Sequence, residues 1–355
     1  MLQWADTFNR YGTSAALMLN GLYANNSDID IVTDPDPSAG GTRCARMLLT
    51  SGSYDFRFAW PSGAVATMGG ALRLWMAALP LDDATFCGWG LSDISNTLQV
   101  SLRVRSTGQI SIYRGDPRSG GVLLTTTAVP VISANSWNHI EWKIKVDSST
   151  GTVEVRVNGV TQIALTGQNT QATGLATSSQ ISFVNFHANG TPANVSDMYL
   201  KDFIIWDTTG TFNNNFLGSV SVIDIDTNAD TSLTWTPSTG TVGWSILDNN
   251  PPLDDAAYIS AATALSNTFG LGNLPADTTS VRGLVLINRT KKIDGGDGNV
   301  QMGIISGAST GLGTDRPITT AYTYWRDIME ADPATGAQFT PSAFNAASFK
   351  LARTV

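Results

Sequence analysis

The stretch at residues 136–160, SWNHIEWKIKVDSSTGTVEVRVNGV, decides the fold. Apolar and polar residues alternate in two runs within it, and the apolar ones are Ile140, Trp142, Ile144 and Val146, then Val153, Val155 and Val157. A period of two is typical of strands with one buried face. Between the runs lies Ser148-Ser-Thr-Gly151, a small polar loop whose glycine can adopt a positive φ. The stretch therefore predicts an antiparallel β-hairpin with one face in a core.

A four-residue loop also predicts how the two strands pair. It places Lys145 opposite Glu154, a favourable pair on the solvent face. The predicted apolar pairs are Val146 with Val153, Ile144 with Val155, and Trp142 with Val157. A shift by one residue would turn every apolar side chain toward water, so the choice of faces is well specified. The same register puts Glu141 opposite Asn158 and His139 on the outward face.

Three segments resemble a known family. The Trp-Asn-His-Ile-Glu start of the hairpin and its Val-x-Val-x-Val-Asn-Gly return resemble the central hairpin of concanavalin A-like, laminin-G-like lectin domains. Residues 4–12 and 197–207 resemble the opening and closing strands of such modules in tailed-phage virion proteins. The resemblance covers residues 1–210 and implies a two-sheet jelly-roll sandwich.

The second half resembles a module that follows such lectin-like domains in tailed-phage structural proteins. The segments that carry this resemblance are residues 216–220, 235–238, 249–255 and 332–341. The polar, Asn-rich run at residues 207–215 predicts a boundary, giving domains 1–210 and 217–355. Strands are predicted at residues 219–225, 281–289, 301–305 and 322–329. Thr340 followed by Pro341 predicts a short helix that Thr340 caps.

Composition favours an all-β protein, for which the lectin resemblance implies a jelly-roll sandwich and the strand-like pattern of residues 217–355 predicts a second, smaller β-sandwich. Charged residues make up 14% of the 355, there are 34 glycines, and only three of the 29 acidic residues are glutamates. Asp favours turns, whereas Glu favours helices. A hydrophobic content of 42% can supply a core. The net charge of −8 argues against binding to nucleic acid.

The N-terminus MLQWADTF has no basic region followed by an apolar run, so we expect no signal peptide. No apolar stretch reaches the length of a membrane span, so we expect no membrane association. Cys44 and Cys87 lie among apolar and small residues and are expected to be buried thiols, although a disulfide remains open.

Catalytic patterns are missing from the sequence. A retaining glucanase of this fold needs two close carboxylates, usually in a Glu-x-Asp-x-x-Glu run, and no such run is present. No His spacing typical of a metal site and no Gly-x-Ser-x-Gly elbow occurs. The sequence therefore predicts a protein that is not an enzyme and has no cofactor.

Calcium at a rim stays open as an alternative, since hard oxygen ligands cluster in several turns. The pairs concerned are Asp28 with Asp30, Asp34 with Asp36, Asp82 with Asp83, Asp254 with Asp255, and Asp294 with Asp297. Solvated turns are the simpler interpretation of each pair.

Four residues are candidates for carbohydrate binding, which needs an exposed ring and planar polar groups on a rim. Trp89 lies between Gly88 and Gly90, and Asn185, His187 and Asn189 follow near a predicted sheet edge. A core position is the alternative for Trp89.

These features favour a structural component of a tailed-phage virion: a head-decoration, fibre or tail accessory protein made in the host cytoplasm. The expected partners are other virion proteins, further copies of the chain and a host-surface glycan, with neither nucleic acid nor membrane. Residues 217–355 are expected to hold the chain to its assembly. A glycan-binding adhesin is the second hypothesis, and a polysaccharide-degrading enzyme is the third.

Overall fold

The structure, a computed structural model, describes residues 1–13, 23–24, 29–39, 41–48, 55–60, 63–82, 85–187, 197–249 and 252–355. The side chains of residues 24, 39, 55, 85 and 185–187 lie outside this description. The chain divides into two compact units. The first comprises Met1–Asn9 and Thr13–Val222, and the second comprises Arg10–Gly12 and Ile223–Val355. The boundary after Val222 lies further along the chain than the boundary that the sequence predicts at residues 207–215.

Two antiparallel sheets build the first unit. The first sheet consists of β1 (Leu2–Asp6), β3 (Ile29–Thr33), β4 (Arg43–Met47), β6 (Thr67–Met76), β11 (Asn138–Lys145), β12 (Gly151–Val157), β13 (Val160–Gln168) and β15 (Met198–Asp207). Its order is β13-β12-β11-β6-β15-β4-β3, with β1 also paired to β15. The second sheet consists of β2 (Tyr23–Ala24), β5 (Asp55–Ala59), β7 (Thr85–Ser92), β8 (Leu98–Val104), β9 (Ile110–Arg114), β10 (Val122–Thr126) and β14 (Gln180–His187), in the order β10-β9-β8-β7-β14-β5-β2.

The inner faces of these sheets meet in an aromatic core. Trp142 on β11 and Trp89 on β7 are fully buried, with ring centroids 5.4 Å apart. Phe203 on β15 packs against Phe58 and Phe183 of the second sheet at 5.2 and 5.5 Å. Burial of large rings between two twisted sheets is the usual source of stability in a sandwich. The predicted jelly-roll sandwich and the all-β class are confirmed.

The central strand β6 carries two adjacent glycines that admit these rings. A Cβ on Gly70 would overlap the indole of Trp142, and a Cβ on Gly69 would overlap the indole of Trp206. Successive residues of a strand point to opposite faces. Gly70 therefore makes room for a tryptophan on the inner face of the first sheet, and Gly69 makes room for one on its outer face.

The central hairpin forms with the predicted faces but in a register two residues away. The observed apolar pairs are Ile144 with Val153, Trp142 with Val155, and Ile140 with Val157. The loop explains the shift, because the Asp147 carboxylate accepts the N–H groups of Ser149 and Thr150 at 2.9 and 2.8 Å. Lys143, rather than Lys145, therefore faces Glu154. A shift of two residues preserves every face, which is why the alternation alone does not detect it.

The second unit is smaller and also built from strands. Its main sheet consists of β16 (Thr227–Ser232), β19 (Leu265–Leu271), β25 (Ser348–Arg353), β21 (Asn299–Ser306), β22 (Ser309–Leu312) and β23 (Arg316–Pro317). Two ribbons pair β17 (Thr236–Pro237) with β18 (Ile259–Ser260), and β20 (Leu284–Thr290) with β24 (Thr323–Met329). Its core includes Phe269, Met302 and Phe344.

Helices are short throughout the described residues. They are α1 (Trp244–Leu247), α2 (Pro341–Asn345) and the 3-10 turns Pro37–Ala39, Pro117–Ser119 and Asp254–Ala256. The predicted helix after Thr340 is confirmed, with the Thr340 hydroxyl accepting the N–H of Ala343 at 3.1 Å. No helix in the described ranges has the length and apolar character that crossing a bilayer requires.

The fit of Trp142 against Gly70 can be tested by adding one methyl group. Gly70→Ala should lower the free energy of unfolding by about 1–3 kcal/mol, because the new carbon overlaps an indole that the second sheet holds in place. Gly174→Ala is the matched control, since a Cβ there meets nothing within 4 Å. The control should change stability by less than about 0.5 kcal/mol in denaturant titrations. Equal effects from the two substitutions would contradict the packing described for β6.

Candidate functional site

Part of the outer face of the first sheet is covered by residues 216–222. The Glu141 carboxylate accepts the N–H groups of Leu217 and Gly218, both at 3.0 Å, and the Glu141 side chain is fully buried. Phe216 lies edge-on to Trp206, with ring centroids 6.2 Å apart. The prediction of a strand at residues 219–225 is wrong, because these residues form no strand and the N–H of Val222 donates to the Asp202 side chain at 3.2 Å.

The position predicted for Glu141 is corrected in two respects. The residue faces Arg156 rather than Asn158, and it lies under the covering segment rather than in solvent. Burial raises the pKa of its carboxyl group, against the opposing effect of the two backbone N–H donors. Glu141 thus anchors the end of the first unit.

The rest of this outer face is partly open and carries aromatic rings. Trp75 on β6 faces Tyr199 on β15 directly across the strands, and both side chains are partly exposed. Trp137, just before β11, lies with its ring centroid 5.9 Å from that of Trp75, at an interplanar angle of 59°. We call these three rings the tryptophan patch.

Lys201 and Asp34 hold the Trp137 side of the patch in place. The Lys201 ammonium lies 4.2 Å from the centroid of the Trp137 ring, a cation–π contact. The same ammonium donates to Asp34 Oδ2 at 2.7 Å, while Trp137 Nε1 donates to Asp34 Oδ1 at 3.1 Å. Because the Asp34 side chain is fully buried, these hydrogen bonds fix the orientation of the ring.

Two arginines border the patch. Arg46 lies next to Tyr199, and Arg73 lies next to Lys201. Arg46 on β4 faces Tyr199 and donates to Asp30 at 2.6 Å. Arg73 on β6 faces Lys201 and donates to Asp202 at 2.8 Å. Burial, with a smaller effect from the nearby Asp197 carboxylate, raises the pKa of the Tyr199 hydroxyl. The arginines thus offer planar donors next to acceptor oxygens around the rings.

His139 lies beside Arg73 on the neighbouring strand β11 and is 3% exposed. Burial and, second, the positive charge of Arg73 lower the pKa of its imidazole to about 4. Neither ring nitrogen has a hydrogen-bond partner. A neutral imidazole therefore lies under the edge of the open face.

This arrangement can hold a flat, hydroxyl-bearing ligand. Aromatic faces bury the C–H side of such a ligand, and paired guanidinium and carboxylate groups donate to and accept from its hydroxyls. Trp75 and Tyr199 lie on β6 and β15, two central strands of the sheet, so the positions of these two rings are held by rigid elements.

Of the four carbohydrate-binding candidates, Trp89 is the one whose side chain the structure describes, and it lies in the core. Trp89 has no exposed surface and packs on Trp142, so its ring offers no face to a sugar. Its flanking glycines lie in strand β7 rather than in a loop, and a Cβ on Gly88 would overlap the backbone of Leu102. Asn185 and His187 lie on β14, but their side chains are outside the description, and Asn189 is outside the described residues. The last three remain predictions.

Sequence reasoning missed the three rings of the patch, although one signal was present. The alternation that placed His139 on the outward face places Trp137 there as well, because the two residues differ by two positions. No local pattern in the sequence predicts that Trp75 and Tyr199 lie opposite each other, because this depends on the pairing of β6 with β15.

Several carboxylates of the suggested calcium pairs have protein partners. Asp30 accepts from Arg46, Asp34 accepts from Lys201, and Asp254 forms a two-point ion pair with Arg289. Within the described residues, no group of three or more acidic, His or Cys side chains could hold a metal ion. Asp28 and Asp83 lie outside the described residues. Cys44 and Cys87 are buried free thiols, and burial raises the pKa of each.

Comparison with known proteins gives matches among solved structures alone. No family model matches the chain, and no curated protein matches it. The alginate lyase Aly36B is 13% identical with a TM-score of 0.38, and the match covers 57% of this chain and 96% of that one. The alginate lyase vAL-1 from Chlorella virus is 12% identical with a TM-score of 0.42, covering 58% and 99% of the two chains. The catalytic domain of a glycoside hydrolase family 131 protein from Coprinopsis cinerea is 16% identical with a TM-score of 0.37, covering 61% and 98%.

These comparisons contradict two predictions from the sequence: that the chain is a virion structural protein, and that it is not an enzyme. The three structures are polysaccharide-degrading enzymes, and none of them is a virion protein of a tailed phage. At these identities and TM-scores the likeness carries no argument about the ligand or reaction of this chain.

The lowered pKa of His139 predicts a pH-dependent stability. Below pH 6.5, the ordinary pKa of a histidine, the imidazole of His139 is protonated in the unfolded chain. In the folded chain it stays neutral down to about pH 4. The free energy of unfolding should therefore fall as the pH is lowered from 6.5 toward 4, with a slope of up to about 1.4 kcal/mol per pH unit. Denaturant titrations across this range measure it.

His139→Gln is the comparison for this slope. Glu141, whose raised pKa acts in the opposite direction, is present in both proteins, so its contribution cancels in the difference. In the variant, the slope of the free energy of unfolding against pH should lose the part that His139 causes. A change in stability that is the same at every pH does not affect this comparison. Identical slopes in the two proteins would show that the imidazole titrates as it does in water.

Proposed function

We propose that the first unit binds a polysaccharide along the tryptophan patch. The observation that carries this proposal is the partly exposed set of Trp75, Trp137 and Tyr199 on one open sheet face, bordered by ion-paired Arg46 and Lys201. Binding is a property that lectins and polysaccharide-degrading enzymes share, so the proposal holds for either class.

The patch has the features that sugar recognition requires. Its rings stand at an angle, which lets each contact a different face or neighbouring unit of a polymer. Trp137 is held by Asp34 and Lys201, so little side-chain entropy is lost when a ligand stacks on it. Surface aromatics without such support are more often incidental.

Of the partners predicted from the sequence, this proposal retains a glycan. Association with further copies of the chain, virion partners and a virion location remain predictions from the sequence alone.

Removing one ring tests the proposal. Trp75→Ala should weaken binding to a polysaccharide that the intact chain retains by about tenfold, since a lost aromatic contact is worth about 1.5 kcal/mol. Affinity electrophoresis through gels that contain single polysaccharides measures the change. Tyr113→Ala is the matched control, because this partly exposed ring lies on β9 of the other sheet.

Thermal unfolding of both variants establishes that they remain folded. Unchanged retention of Trp75→Ala, or an equal loss in Tyr113→Ala, would overturn the placement of the site. Failure of the intact chain to bind any polysaccharide would overturn the proposed function itself.

A further inference from the structure

We infer that the saccharide held at the tryptophan patch is an uncharged polysaccharide. This inference rests on the proposed function and adds the ligand class, which follows from how the charges around the patch are paired. An uncharged ligand sets this chain apart from an enzyme that acts on alginate, whose sugars carry carboxylates.

Every cation at the border of the patch is already neutralised by a carboxylate. Lys201 Nζ lies 2.7 Å from Asp34, Arg73 Nε lies 2.8 Å from Asp202, and Arg46 lies 2.6 Å from Asp30. Arg46 also lies 4.0 Å from Asp197. Around the rings, four carboxylates therefore surround three cations.

His139 and the residues outside the description add no positive charge to this balance. The pKa of His139, about 4, keeps its imidazole neutral at physiological pH. The ranges that the structure does not describe contain neither Lys nor Arg in their sequence. The chain as a whole carries −8, so its long-range field also repels anions.

An acidic saccharide would meet an unfavourable site. Its carboxylate or sulfate would meet cations whose charge a protein carboxylate already offsets, so it would either displace that carboxylate or lie close to it, and it gains little net attraction in both cases. Asp34 cannot turn away into water, because its side chain is fully buried and also accepts from Trp137. The displaced anion would stay within a few ångströms of the ligand.

An uncharged saccharide meets no such cost. The arginine and lysine pairs leave further N–H donors and carboxylate lone pairs available, since a guanidinium has five donors and a carboxylate accepts several bonds. Sugar hydroxyls can use both without breaking the pairs. The rings supply the apolar contact.

The ligand class is tested with two panels of probes on the full chain. The uncharged panel contains dextran, laminarin, galactomannan, arabinan and xyloglucan, and the acidic panel contains alginate, hyaluronan and dextran sulfate. We expect retention by at least one uncharged probe and by none of the acidic ones. Retention on the uncharged probe should be insensitive to salt between about 0.01 and 1 M, over which the Debye length falls from about 30 to about 3 Å.

The outcomes separate the inference from the proposed function. Retention by acidic probes that Trp75→Ala abolishes would overturn the inference and keep the function. Retention that Trp75→Ala leaves intact, or no retention by any probe, would overturn the function.

A gain of binding tests the pairing argument directly. Asp30→Asn combined with Asp197→Asn leaves Arg46 without its carboxylates and should produce measurable retention on alginate where the intact chain shows none, a gain in affinity of about fivefold, the equivalent of about 1 kcal/mol. The exposed pair Asp294 and Asp297 in the second unit, changed to Asn, alters the net charge equally and is the control. Equal behaviour of the two double variants would show that local pairing does not exclude acidic saccharides.

Discussion

Two adjacent glycines in the central strand of the first sheet let a tryptophan approach from each side. Gly70 accommodates Trp142, which meets Trp89 of the second sheet in the core. Gly69 accommodates Trp206, which meets Phe216 on the outer face. The contact between Trp142 and Trp89 joins the two sheets. The contact between Trp206 and Phe216 holds the end of the first unit against the outer face of the first sheet. The core and the extent of the open outer face therefore both depend on the absence of two side chains.

The covering segment divides the outer face into two regions with different properties. Where residues 216–222 lie, even a glutamate is fully buried and bonded to backbone N–H groups. Beyond the segment, Trp75 and Tyr199 remain partly exposed on strands that cannot move independently of the core. Rings, buried acids and paired cations then combine there into a surface suited to hydroxyl groups rather than to charge. The ligand class follows from this pairing, since rings alone would accept any flat sugar.

Much of the fold could be predicted from local pattern, and the site could not. Alternation identified the hairpin faces, because a half-buried strand has a period of two, and Thr340-Pro341 identified a helix start. The hairpin register differed by two residues because the Asp147 side chain, not the pattern, sets the loop. The sequence leaves Trp89, between two glycines, as either an exposed ring or a core residue, and the structure places it in the core, where Gly88 serves close packing between strands. Trp75, Trp137 and Tyr199 come from distant segments, and only the strand order brings them together.

The central claim is that a saccharide contacts the tryptophan patch on the outer face of the first sheet. Its most direct test follows the indole N–H signals of the ten tryptophans by NMR during titration with an oligosaccharide of the retained polysaccharide. The account predicts that the signals of Trp75 and Trp137 shift progressively with ligand. The signals of the buried Trp89 and Trp142 should stay in place. Shifts confined to tryptophans outside the patch, with Trp75 and Trp137 unmoved, would contradict the account.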